Sequence, residues 1–283
     1  MQPWLFEFPV PGIGEIKLSA YFTWLMVGLV LSAEVAVREA RRSGESPARF
    51  LRLSVLTIVA GLVGARLGHA VFTSPRLYLD DPLRVLQFWR GGMVYYGGFL
   101  GSLAAVLWWC RRNQRSLLNV GDILAPAVPL GIAFGRLGCL SAGCCYGRPI
   151  DWGSGIEWPW AVTYLSGQVP LPLKGVPLHP AQAYASLGAI GLFLLLGWMR
   201  RNQRFEGQVL GALLVGYGVL RSLLELFRLD LVRGFVLEDL LGQSVSTSQA
   251  ISLPLVLAGL FILIRGSRRR ARPSQSAPQA TAS

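Results

Sequence analysis

Runs of about twenty predominantly apolar residues recur along this sequence, each long enough to cross the hydrocarbon core of a bilayer as an α-helix. Seven such windows run approximately over 20–38, 51–73, 92–110, 120–139, 180–199, 207–228 and 248–265. The last is the shortest, and Pro254 is expected to kink it, because proline removes a helical donor and crowds the preceding turn. The opening MQPWLFEFPVPGIGE has no basic segment ahead of an apolar run, so it does not read as a cleavable signal. A net charge of +12 alone would suit a nucleic-acid ligand. With 52% hydrophobic and only 15% charged residues, against roughly 25% charged in soluble domains, the basic residues instead belong to loops flanking membrane spans. The same figures exclude a soluble enzyme and a disordered scaffold, and no nucleic-acid partner is expected.

The distribution of arginine sets the expected topology, since short basic loops stay in the cytoplasm. Arg38, Arg41, Arg42, Arg49 and Arg52 follow the first window; Arg111, Arg112 and Arg115 the third; Arg200, Arg201 and Arg204 the fifth; Arg265, Arg268, Arg269, Arg270 and Arg272 the seventh. The intervening segments carry fewer basic residues, mixed with Asp80, Asp81, Asp151, Glu157, Asp230, Glu238 and Asp239. The expectation is an all-α polytopic membrane protein of about seven transmembrane helices, N-terminus outside and C-terminus cytoplasmic. A single membrane domain covers residues 1–272, and the Pro, Ser, Gln and Ala-rich tail 273–283 reads as disordered. Two outer segments exceed simple connectors: 74–91, with the amphipathic DPLRVLQFWR, and 140–179, with Trp152, Trp158 and Trp160. Interfacial anchoring and substrate handling are both open to them. Gly97 and Gly101, Gly131 and Gly135, and Gly207 and Gly211 have the spacing that lets helices approach closely.

Ionisable residues within the windows are costly, roughly 2.5–3.5 kcal/mol or more each at mid-bilayer, and therefore informative. The expensive ones are Glu34, Arg66, Arg136, Arg221 and Glu225. At about 1.5 Å per residue, Arg66, Arg136 and Arg221 lie about 23, 24 and 21 Å from the inner ends of their helices, all in the outer half. Tyr95 and Tyr96 fall at comparable depth. Guanidinium groups there suit a phospholipid headgroup or a departing phosphate. For Arg66 the competing reading is snorkelling to the interface, and for Arg221 and Glu225, four apart, mutual neutralisation. Glu34 is expected to pair with Arg38 near the inner surface.

GRLGCLSAGCCYGRP places Cys139, Cys144 and Cys145 at the outer end of the fourth window. The C-x4-C-C spacing is not a standard zinc pattern and shows no fourth ligand, so buried inert thiols, a bridge from Cys139 to Cys144 or Cys145, and redox chemistry all stand. His69 and His179 lie near outer ends, where an imidazole serves either as a satisfied polar group or in acid–base work.

The ordered set APAVPLGIAFGRLGCLSAGCCYGR (125–148), GARLGHAVF (64–72), GGMVYYGGFLG (91–101), HPAQAY (179–184), YGVLRSLLELFR (217–228) and SQAISLPLVLAG (248–259) resembles the phosphatidylglycerol prolipoprotein diacylglyceryl transferases of bacterial inner membranes. The resemblance implies a multi-pass enzyme that moves the diacylglyceryl unit of phosphatidylglycerol to the lipobox cysteine thiol of prolipoproteins, releasing glycerol phosphate. It implies no metal or organic cofactor. Arg136 matches the family's phospholipid-binding arginine, and Arg221 with Glu225 its essential arginine and glutamate. Arg66 and Gly147 are expected beside the lipid with Arg136. This chain departs from the family where Tyr96 stands for a histidine, where Cys139, Ala142 and Cys144 stand for Asn, Asn and Glu, and where Ala185 stands for a glutamate. The general base is therefore open among Tyr96, His179 and Glu225. The alternatives are a thiol oxidoreductase using Cys139, Cys144 and Cys145, and a phospholipid-binding transporter.

Overall fold

The computed structural model describes residues 4–10, 14–87, 92–150, 159–167, 169–228, 235–237 and 245–271. Its elements are α1 (Ala20–Arg42), α2 (Pro47–Gly68) running into a π-helical turn His69–Thr73, α3 (Pro75–Asp80), α4 (Tyr95–Arg112), α5 (Leu117–Leu124), α6 (Ala127–Ala142), α7 (Ala181–Arg201), α8 (Gln208–Glu225) and α9 (Thr247–Ala271). Short antiparallel pairs join β1 (Trp4–Val10) to β2 (Gly14–Ser19), β3 (Val162–Thr163) to β4 (Pro177–Leu178), and β5 (Phe235–Leu237) to β6 (Val245–Ser246). The sequence windows at Trp152 and Trp158, and the tail 273–283, lie outside the described residues.

Five helices are long and apolar enough to span a membrane: Ala20–Arg42, Pro47–Thr73, Ala181–Arg201, Gln208–Glu225 and Gln249–Arg269. α5 and α6 form a sixth as one span bent by 43°. The bend falls at Ala125–Pro126, where the proline has no N–H to continue the ladder. The protein is thus an all-helical polytopic membrane protein with five to six candidate spans among the described residues. α4, expected as the third span, is not one of them; its tyrosines at one end and Arg111 and Arg112 at the other dilute an otherwise apolar stretch. The final helix differs from expectation in the other direction. At 25 residues α9 is the longest of the set, with Pro254 inside it, because arginine propagates a helix well even where it ends the apolar run.

Close helix contacts are made through glycine. A Cβ at Gly64 would lie 2.4 Å from the Gly97 carbonyl oxygen, and one at Gly97 would lie 2.3 Å from the Gly64 oxygen, so α2 and α4 touch backbone to backbone. Gly211 meets Gly259 and Leu263 of α9 in the same manner. Gly135 instead faces open space, and Gly207, at φ +88°, serves as the left-handed entry to α8 rather than chiefly as a packing notch.

The two ends of the bundle differ. At one, the arginine-bearing connectors meet: Arg115 pairs with Glu45 at 2.8 Å, and Arg200 donates to the Ser43 hydroxyl at 2.5 Å. Beneath them Phe50, Leu53, Trp109, Cys110, Val120 and Ile123 form a buried cluster. Glu34 pairs with Arg38 at 2.6 Å on the exposed flank of α1. At the other end lie the starts of α1, α4 and α7 and the ends of α2, α6 and α8, which together build the site described below.

One buried charge organises the connector end and is absent from the set of ionisable residues that depth alone singles out. Asp122 of α5 is fully buried, and its carboxylate accepts hydrogen bonds from the backbone N–H groups of Gly207 (2.6 Å), Val209 (2.9 Å) and Leu210 (2.8 Å) and from Gln203 Nε2 (2.5 Å). It caps the first turn of α8 from a neighbouring helix, with the helix dipole favouring its negative charge. Asp122→Ala strands those donors in an apolar setting and is expected to cost about 3–5 kcal/mol, read as a lowered thermal midpoint in detergent micelles. Asp122→Asn, which keeps an acceptor, should lose clearly less; equal midpoints for Asp122→Ala and the parent would contradict the capping role.

Candidate functional site

Arg136 sits on α6 six residues before its C-terminal Ala142, half-buried among the ends of four elements. Its electrostatic neighbours are Cys139, Cys145, Tyr217 and Tyr95, and it also acts on Tyr21. Tyr95 opens α4 and stands beside Tyr217 of α8, while Tyr21, at the start of α1, packs its ring 3.1 Å from where a Cβ on Gly138 would stand. Among the described residues no carboxylate pairs with Arg136. A guanidinium ringed by hydroxyls and thiols keeps its positive potential in a low-dielectric setting, which is the chemistry of an anion site.

Tyr217, Arg221 and Glu225 recur every fourth residue and line one face of α8. Arg221 Nη1 meets Glu225 Oε2 at 2.5 Å, and both side chains are about nine-tenths buried, with side-chain exposures of 10% and 6%. The pair is overall neutral and directly follows the tyrosine that faces Arg136. Tyr96 is on the rim beside Tyr95, 43% exposed.

His179 lies two residues ahead of α7. Its Nδ1 is 3.3 Å from the Tyr184 hydroxyl, its ring packs on Tyr184 and Phe227, and it is buried. Burial and, secondarily, the Arg148 charge lower its pKa below the usual imidazole value. Gly147 lies at the junction: its N–H donates to the His179 carbonyl at 2.9 Å, and a Cβ there would stand 2.5 Å from the Phe227 oxygen and 2.6 Å from the His179 oxygen. The glycine therefore brings the end of α8 and the start of α7 into register.

Arg66, grouped with Arg136 by depth, belongs to a separate arrangement. Its guanidinium donates to the carbonyls of Val85 (3.2 Å), Gly92 (3.1 Å), Gln87 (3.0 Å) and Arg84, and it lies 5.2 Å from the Tyr78 ring centroid. At 3% exposure it does not snorkel outward; it pins the segment after α3 to α2. His69 beside it is 2.8 Å from the Tyr78 hydroxyl.

The three cysteines converge. Gly143, at φ +67°, ends α6 in a left-handed cap, with its N–H bonded to the Leu140 carbonyl and the Cys144 N–H bonded back to the Cys139 carbonyl at 3.1 Å. This reversal turns a five-residue separation into adjacency, and all three sulfurs are free thiols within 4.8 Å of one another. The neighbouring Cys139 and Cys144 thiols, and then the Arg136 and Arg228 charges, hold the Cys145 thiol below its ordinary pKa. Gln182 of the HPAQAY motif holds the loop, donating to the Cys144 carbonyl at 2.7 Å and to the Tyr164 hydroxyl at 3.0 Å. A cavity of about 690 Å³ lined by Trp198, Phe205, Gln208 and Ser267 is at the connector end, remote from these groups.

Sequence reasoning brings out Arg136, Arg221, Glu225, His179 and the tyrosine pair, but not Tyr21, Tyr217 or Gln182. Tyr217 carried a usable signal, one helical turn ahead of Arg221. Tyr21 had none, since its partner Gly138 is more than a hundred residues away.

Residues 10–265 match the family model described as prolipoprotein diacylglyceryl transferase. Among similar proteins, a phosphatidylglycerol–prolipoprotein diacylglyceryl transferase of Aliivibrio fischeri is 33% identical over 273 residues, spanning 95% of this chain and 92% of its own. One of Verminephrobacter eiseniae is 40% identical over 216 residues, 75% of this chain and 73% of its own, and one of Vibrio cholerae 34% identical over 264 residues, 91% and 90%.

The lowered His179 pKa fixes a pH dependence. Below about 6.5 the unfolded chain takes up the imidazole proton more readily than the folded one, so this residue's contribution is intact above that pH and is lost as pH falls through the window beneath it. Thermal midpoints taken between about pH 7.5 and pH 5.5 should fall for the parent protein and fall less for His179→Asn. Parallel slopes for the two would remove this assignment.

Proposed function

The chain belongs to the prolipoprotein diacylglyceryl transferase family, and from that premise we propose how its residues divide the labour of the transfer. The protein is a multi-pass membrane transferase that acts on phosphatidylglycerol and prolipoproteins. The finer reading is a transfer to the lipobox cysteine at the outer face of a bacterial inner membrane. There the protein has seven spans, α4 being the seventh, with the N-terminus outside and the C-terminus cytoplasmic. The concentration of arginine connectors at one end of the bundle supports that orientation, and the glycine contact of α4 with α2 supports its counting as a span.

In the reaction the acceptor sulfur attacks the glyceryl carbon bonded to phosphate. The C–S bond forms as the C–O bond breaks, the electron pair leaves with glycerol phosphate, and the thiol proton passes to a base. The headgroup enters with one negative charge and departs with two. Arg136, unpaired with any carboxylate among the described residues, is the observation that carries this reading: it holds the phosphate throughout. The Arg221–Glu225 pair responds to the change. When Glu225 takes the thiol proton, its carboxylate loses its charge and Arg221 turns toward the new charge on the leaving phosphate, so proton transfer and leaving-group stabilisation reinforce each other. Tyr21, Tyr95 and Tyr217 hold Arg136 in place and exclude water around it. Tyr96 is on the rim, where it contacts the lipid glycerol or the peptide, and His179 positions the α7 start against the end of α8. Arg66 and Gly147 support the walls. No step of this scheme requires a cofactor.

The test is product formation from phosphatidylglycerol and a lipobox peptide in proteoliposomes. Arg136→Ala is expected to lower turnover by about 10²–10³-fold, and Glu225→Gln by about 10²-fold or more, with Tyr96→Phe within about tenfold of the parent. Glycerol phosphate release at the parental rate by Arg136→Ala would refute the phosphate role. Lipid binding with no thioether product in the parent itself would favour the transporter reading.

A further inference from the structure

The transfer scheme leaves one built feature unused. The sulfurs of Cys139, Cys144 and Cys145 lie within 4.8 Å of one another, and bonds of about 2.3 Å to a shared ion would set them roughly 4 Å apart. Small side-chain adjustments suffice to close that gap. The arrangement is imposed by the backbone: Gly143 adopts φ +67°, Cys145 takes φ +61° although it is not glycine, and the Cys144 N–H folds back onto Cys139. Two buried side chains hold it from outside, Gln182 on the Cys144 carbonyl and Tyr164 on Gln182, both about 1% exposed.

We propose that Cys139, Cys144 and Cys145 form a three-thiolate binding site for one soft, closed-shell metal ion, and that Cu(I) is the ion that fits it. Three sulfurs, with no histidine or carboxylate joining them among the described residues, satisfy the coordination of Cu(I), whereas Zn(II) takes a fourth ligand. Charge points the same way. Three thiolates and a monovalent ion leave two negative charges, and the two guanidinium groups acting on Cys145 are Arg136 and Arg228. A divalent ion would leave one negative charge against those two guanidinium groups, one short of neutrality. Binding forms metal–sulfur bonds and releases thiol protons to solvent, with no change of oxidation state, and a filled site draws on the charge of Arg136.

The experiment titrates the reduced, full-length protein in detergent with Cu(I), anaerobically, against a chromophoric Cu(I) chelator, with Zn(II) in a parallel arm. One equivalent per chain should be withheld from the chelator. Cys144→Ser and Cys145→Ser, each retaining two thiols, should weaken binding by at least about tenfold with unchanged thermal midpoints, and the triple serine variant by at least about 100-fold. Gly143→Ala, which removes no sulfur but opposes the left-handed cap, should also weaken it. Cys110→Ser, in the connector-end cluster, should leave it unchanged. Affinity unaltered in Cys144→Ser and Cys145→Ser, or lost in Cys110→Ser, overturns the site. Chelator-resistant binding of Zn(II) without Cu(I) overturns the choice of ion.

Discussion

A charge held at membrane depth must find its compensation there, and the way each buried charge does so determines the rest of this structure. Asp122 takes the N-terminal donors of α8, so a carboxylate and a helix dipole neutralise one another and fix where α8 begins. Arg66 takes backbone carbonyls, four of them among the described residues, and thereby folds the segment after α3 back onto α2. Arg221 takes Glu225 one turn away. Arg136 alone of these is surrounded by neutral hydroxyls and thiols, whose dipoles solvate a guanidinium without cancelling it. Three charges thus meet an opposite charge or backbone dipoles, and the fourth is the one to which the proposed mechanism assigns the phosphate.

This distribution explains which parts of the fold can be read from sequence. Helices such as α1 and α7 are visible because burial in lipid demands a continuous apolar run, a property of adjacent residues. Depth along a helix is equally local, so Arg136, Arg221 and Glu225 can be placed from sequence, and the i, i+4 pairing of the last two follows. What sequence cannot supply is the identity of a partner that is a backbone group elsewhere. Arg66 and Arg136 look alike by residue type and depth, yet one meets carbonyls near residues 84–92 and the other meets side chains from α1, α4 and α8. Asp122 escaped notice for the same reason: its donors are amide groups more than eighty residues away. The weakly apolar α4 is a milder case, in which glycine contact with α2 holds a helix whose composition alone is ambiguous.

The cysteine loop shows how a single residue can convert spacing into proximity. C-x4-C-C matches no familiar ligand pattern when read as a string, because such patterns presume extended or helical backbones. A glycine at φ +67° reverses the chain, and the Schellman-type hydrogen bond from Cys144 to Cys139 then fixes the result. The glycine was the legible signal. Its consequence for the thiols became apparent only with the hydrogen bonds in view.

The departures from the family pattern act together on Arg136. Where the family carries glutamates, this chain has Cys144 and the buried Ala185, and where it carries asparagines, Cys139 and Ala142. On the proposed reading Arg136 holds a phosphate, and the side chains of this loop that act on it are the thiols of Cys139 and Cys145. With a carboxylate beside it, a guanidinium binds an anion only after its internal pair is disrupted; with protonated thiols in that place, no such disruption is needed. On the proposed reading this arrangement favours headgroup binding and shifts control of the local potential to the protonation or proposed ligation of the sulfurs. A change that looks like the loss of catalytic acids is, electrostatically, a replacement of permanent negative charge by conditional negative charge at the same end of α6.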